Sequence, residues 1–168
     1  EAGKSTLLEA INLVLTGQLN GRNINYEISP FLFSKSVFDE YITKLKAGSN
    51  PSLPAILIEI YLHNKPEFVK LKGANNSKGE DTYGVYLKIE FNEDYKDEYS
   101  KYISDPTNII TLPTEYYSAR LYDFANKLIT PRSVELYSTL IDTTTIKLQN
   151  GADYYLQKII EESLDIKE

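Results

Sequence analysis

The 168-residue chain has no cysteine and a single histidine, His63. Disulfides, thiolate metal sites and cysteine nucleophiles are therefore excluded, and one imidazole cannot supply a histidine-based zinc cluster. Methionine is absent as well, so Glu1 is no translation start, and nothing resembling a signal peptide leads the chain. The expectation is a cut or processed piece of a longer protein. Arginine is scarce, limited to Arg22, Arg120 and Arg132, and 18 basic residues face 24 acidic ones, for a formal charge of −6. Taken whole, this is not the electrostatic footprint of a DNA-binding domain. Long apolar runs are missing too: stretches such as Ile56 to Ile58 fall far below the roughly 20 residues that span a bilayer. A soluble, cytoplasmic chain without a membrane partner is expected.

What is present suits one ordinary domain, since 42% of the residues are hydrophobic and 25% charged, which argues against disorder. The charge is uneven. Residues 80–105 hold eight carboxylates against three lysines, which is five of the six net negative charges. Within that segment Asp94, Asp97 and Glu98, with Lys101 four residues after Asp97, have helical spacing. That spacing favours a solvated helix face over a Mg²⁺ site.

Periodicity organises the rest. Residues 5–16 place Leu7, Leu8, Ile11, Val14 and Leu15 on one helical stripe, with Gly17 as the stop. Residues 18–33 read as a long irregular connection, and Ser36 with Asp39 resembles a capping box for a helix to about Lys46. Ala55 to His63 alternates, with Ile56, Ile58, Ile60 and Leu62 on one face, and a second strand sets Val85, Leu87, Ile89 and Phe91 inward. Short strands are expected at Phe68–Leu71 and Ile109–Leu112, a polar helix over Asn92–Ser104, and a strand over Glu115–Phe124 with Tyr116, Tyr122 and Phe124 on one face. Leu136–Ile141 reads as a strand and residues 152–164 as an amphipathic helix. The expected fold class is α/β to α+β: a largely antiparallel sheet over about 55–142 with flanking helices.

The most specific feature is Gly3-Lys4-Ser5-Thr6 running into the first helix. This order matches the second half of a Walker A phosphate loop. Backbone N–H groups near Gly3 approach a phosphate where a side chain would obstruct, and the helix N-terminus adds partial positive charge. In such a loop Lys4 reaches the β- and γ-phosphates, Ser5 places its hydroxyl on Mg²⁺, and Thr6 helps bind near the α-phosphate. The other reading is a chance helix start.

Residues 1–11, Glu-Ala-Gly-Lys-Ser-Thr-Leu-Leu-Glu-Ala-Ile, closely resemble the Walker A segment of ABC-type ATPases related to SMC and RecF proteins, and within them the OLD-family ATP-dependent endonucleases. Ser29-Pro30-Phe31-Leu32-Phe33, the strand Ile56 to Leu62 and Leu112-Pro113-Thr114-Glu115-Tyr116-Tyr117 look similar to the ATPase half of bacterial OLD proteins more loosely. The resemblance implies that residues 1–168 are the truncated N-terminal ATPase portion of a partial P-loop lobe. It further implies ATP and Mg²⁺ as cofactors, a homodimer of ATPase heads, and a downstream TOPRIM nuclease through which the parent acts on DNA. Arg22 resembles the arginine that follows the Walker helix in RecF and SMC relatives and faces nucleotide; a solvent-exposed loop arginine is the equal alternative.

The chain departs from the full pattern. It has no signature motif, and Leu140-Ile141-Asp142 is followed by Thr143 where a Walker B glutamate should stand. Asp142 is better read as a strand-terminal turn residue than as a metal relay, so no catalytic residue is expected in the piece and efficient hydrolysis by it alone is not. His63 is expected to be exposed rather than a base. Tyr116, Tyr117 and Tyr122 are read as packing or cross-strand pairs before base-stacking groups. Two other function classes stay open: an SMC/RecF-like head without nuclease activity, and a non-catalytic interaction module.

Overall fold

The computed structural model describes residues 3–136 and Ser138. Its first helix, α1 (Lys4–Thr16), ends where Gly17 turns left-handed at φ 67° and its N–H bonds the Leu13 carbonyl at 2.8 Å. The two-residue strands β1 (Gln18–Leu19) and β2 (Arg22–Asn23) follow and pair as a hairpin. Asn20 and Gly21, at φ 53° and 74°, make its turn. Consecutive positive φ angles are the signature of a type I′ turn, the strongest short-range hairpin signal; the stretch expected to be irregular thus begins with a hairpin.

Helix α2 (Lys35–Lys46) is capped by Ser34, whose Oγ accepts the Val37 N–H at 3.5 Å. The cap therefore lies two residues ahead of the expected Ser36 box. Strand β3 (Ile56–Tyr61) comes next, and Pro66–Leu71 forms a 3-10 helix instead of a strand. Pro66 fixes its start, and side chains three apart eclipse on a 3-10 helix, so Phe68 and Leu71 both enter the core. Strand β4 (Lys72–Gly73) then leads to the long β5 (Thr82–Phe91). Asn92 caps the next turn, and α3 (Lys96–Tyr102) carries Asp97 and Glu98 at its start and Lys101 at its end, each suited to the helix dipole. Ile109–Leu112 is not a strand; Ile109 and Leu112 are buried, but the segment lies between 3-10 turns at Pro106–Asn108 and Thr114–Tyr116. Strands β6 (Tyr117–Asp123) and β7 (Leu128–Ile129) complete the described elements. The strand expected at Leu136–Ile141 and the helix at 152–164 lie outside the described residues, save Leu136 and Ser138.

The result is a mixed helix and antiparallel-sheet, α+β, arrangement with strand order β3-β5-β6-β7 and β4 beside β5. Register decides the two faces. Ile56, Ile58 and Ile60 sit opposite Ile89, Leu87 and Val85, which sit opposite Ala119, Leu121 and Asp123. This face joins Leu13, Val14 and Leu45 in the core. Phe33 meets Tyr117 edge-on, and the Tyr41 and Tyr99 hydroxyls hydrogen-bond at 2.8 Å. Burial pushes the Tyr41 and Tyr117 phenols well above their ordinary range.

The opposite face carries the Lys88–Glu90 ion pair and Arg120 at one end and aromatic rings at the other. Tyr86 stacks on Tyr122 at 5.1 Å, and Tyr61 meets Phe124 edge-on at 5.0 Å. The Phe124 ring fills the space a Cβ would need at Gly84. No helix among the described residues is long and apolar enough to cross a membrane.

Candidate functional site

The start of α1 combines the sequence signal with an open backbone. Gly3 stands at its N-cap with φ 104° and ψ −20°, and no side chain caps the helix. A β-carbon at Gly3 would meet no neighbour, so its requirement for glycine is conformational. Helix geometry leaves the first four N–H groups without intrahelical acceptors. Lys4, Ser5 and Thr6 are all exposed around them. The donor set thus suits a phosphate group: a lysine, two hydroxyls and first-turn amides along one helix end.

The expected apolar stripe of α1 divides in two. Val14 is buried and Leu15 partly so, along with Leu13, but Leu7 and Leu8 are 63% and 57% exposed and Ile11 is also exposed. Among the described residues, the half of α1 that bears Lys4 and Ser5 therefore carries its apolar side exposed.

Arg22 is not brought to that end. It lies on the hairpin attached to the C-terminal end of α1, and its guanidinium is 3.5 Å from the Glu27 carboxylate. With 13 residues, α1 is roughly 20 Å long, and it separates Lys4 from the hairpin's attachment point. Asp142 lies outside the described residues. His63 is exposed just past β3, and the tyrosines make aromatic contacts: Tyr122 with Tyr86, Tyr117 with Phe33, Tyr116 with Tyr95 and Tyr102. Among the described residues no three His, Asp or Glu side chains gather as a metal site, and Asp94, Asp97 and Glu98 are exposed.

A second feature has no sequence motif. A cavity of about 890 Å³ opens between the core face of the sheet and the C-terminal end of α1, and Asp123 lines it. Asp123 is 2% exposed, and its Oδ1 accepts the Lys127 N–H at 2.8 Å across the β6–β7 turn. Only the fold joins Thr16 to Asp123, so no local spacing announces this site.

The sheet edge beside that cavity is closed in an unusual way. The Asn25 side chain accepts the Ala119 N–H at 2.8 Å and donates to the Ala119 carbonyl at 3.3 Å, imitating a paired strand. Comparison with protein-family models, curated proteins and solved structures found no match for the chain.

Proposed function

We propose that the chain is the N-terminal ATP-binding portion of an OLD-like ATP-dependent DNA endonuclease, with Gly3, Lys4, Ser5 and Thr6 forming half of its phosphate site. The observation that carries this reading is the uncapped, glycine-led start of α1 with Lys4 and Ser5 exposed on its first turn. Lys4 would neutralise the β- and γ-phosphates, the first-turn amides and Thr6 would hold phosphate oxygens, and Ser5 would ligate Mg²⁺. Bound MgATP would supply the phosphoryl group to be cleaved. A P-loop lobe also explains the bare side of α1, because a strand and sheet packed beneath the phosphate helix would cover Leu7, Leu8 and Ile11.

Hydrolysis requires a Walker B carboxylate pair, and Thr143 follows Leu140-Ile141-Asp142 where the second carboxylate should stand. We therefore assign this portion binding rather than turnover, in a cytoplasmic parent that pairs its ATPase heads and cuts DNA with a separate domain. The test is MgATP affinity of the longer polypeptide with and without Lys4→Ala. A marked loss supports the reading; unchanged affinity rejects it.

A further inference from the structure

The cavity between the sheet and the C-terminal end of α1 is the second chemically distinct place in the molecule. Its floor is apolar, formed by Leu87, Leu121 and Ile129, and Asp123 stands at one side. One Asp123 oxygen is held by the Lys127 amide; the other has no hydrogen-bond partner among the described residues, and Asp123 belongs to none of the ion pairs found there. A carboxylate so shielded from bulk water gains much from a donor that reaches it.

The helix end adds charge of the same sign. Thr16 and Gly17 line the cavity, so α1 turns its C-terminal, negative pole toward it, and no basic residue occupies the last turn of α1 to offset that pole. Glu135 also lines the cavity but is exposed, so Asp123 is its only buried charge among the described residues. Lys70, Lys127 and Arg120 also line the cavity, but Lys70 and Lys127 are exposed. Arg120 is on the opposite face of β6 and its guanidinium donates to Asn92. These cations sit in solvent or point away, where screening weakens them.

We propose that this cavity binds a small organic cation: a primary amine or guanidinium carried on an apolar body, with the charge at Asp123 and the body on Leu87, Leu121 and Ile129. The site is distinct from the proposed phosphate site, since it lies at the other end of α1. It would let the occupancy of a metabolite-sized amine be sensed at the β6–β7 turn, whose geometry Asp123 already fixes.

The experiment is a titration of the ¹⁵N-labelled full chain with benzylamine, with benzyl alcohol as the uncharged control and Asp123→Asn as the variant. Asparagine keeps an oxygen for the Lys127 amide, so the turn is retained while the charge is removed. Benzylamine should shift the amides of Gly17, Leu121 and Lys127, benzyl alcohol should bind at least about tenfold more weakly, and Asp123→Asn should lose a similar factor. Lys4→Ala should bind benzylamine as the parent does. Equal binding of amine and alcohol, unchanged affinity in Asp123→Asn, or no shift at the cavity amides would each overturn the proposal.

Discussion

The two edges of the sheet are finished differently. Along β6, the outward-facing groups of three residues are engaged: Ala119 by the Asn25 side chain, Leu121 by its β7 partner Ile129, and Asp123 by Lys127. Along β3, the Leu62 N–H bonds Tyr83 and the even-numbered residues face β5, so Leu57, Glu59 and Tyr61 turn their backbone groups outward. Those groups have no partner among the described residues. The side chains tell the same story. Val85, Leu87 and Ile89 on β5 are 0%, 3% and 1% exposed, whereas Ile56, Ile58 and Ile60, on the same face one strand away, are only partly buried.

Helix α1 belongs to the unfinished side. It touches β3, and its Leu7, Leu8 and Ile11 are exposed. Among the described residues, one half of the core is therefore closed around β5 and β6, while the other half ends at an apolar boundary. Under the proposed function that boundary is where the rest of an ATPase lobe packs, and it runs along the helix that begins with Lys4.

Substitutions should separate the two halves. Leu87→Ala, in the finished half, should cost about 2–5 kcal/mol of unfolding free energy through the cavity it leaves, whereas Leu8→Ala should stay within about 0.5 kcal/mol. Chemical denaturation of both variants makes the comparison, and equal losses would mean that Leu8 is packed after all. Gly84→Ala comes next, at about 1–3 kcal/mol, because its methyl would collide with the Phe124 ring and the Ile60 carbonyl. A silent Gly84→Ala would show that the aromatic packing there tolerates rearrangement.

Asn25→Ala should cost about 1 kcal/mol and accelerate hydrogen exchange at Ala119, since it reopens the one edge that is closed by a side chain. Unchanged exchange at Ala119 would remove the contrast between the edges.

The smallest effect concerns Glu59 on the open strand. Burial opposes its ionisation, but hydrogen bonds from Ser77 and Tyr61 and the nearby Lys78 ammonium more than offset this and hold its carboxyl below the usual range. A depressed carboxyl pKa contributes stability above the unfolded value, about 4.3, and loses it as pH falls through the folded value. Glu59→Gln should therefore be slightly less stable than the parent at pH 7, with the difference fading in acid. A difference that grows on acidification would contradict this assignment.

Much of the architecture is legible in the residues. The alternation of Ile56–Leu62 and Val85–Phe91 names two paired strands, and Gly17 marks the end of α1. Errors arise where short apolar spacing is ambiguous. Phe68 and Leu71 are compatible with either a strand or a 3-10 turn until Pro66 decides it, and Ile109 and Leu112 are buried without joining a ladder. Ser34 and Ser36 compete for one cap, and only backbone geometry chooses Ser34. Asn20-Gly21 carried its hairpin signal in plain view. The site divides in the same way: Gly3-Lys4-Ser5-Thr6 is contiguous and visible, whereas the cavity joins Thr16 to Asp123 through tertiary packing alone, and the exposure of Leu7 and Leu8 depends on what lies beside them.

The measurement that bears most directly on the central claim is calorimetric titration of MgATP into the longer polypeptide that carries this chain, in parent and Lys4→Ala forms. Loss of the charge-assisted phosphate contact should weaken binding by about tenfold or more. Equal affinity in the two proteins would contradict a phosphate site at the start of α1.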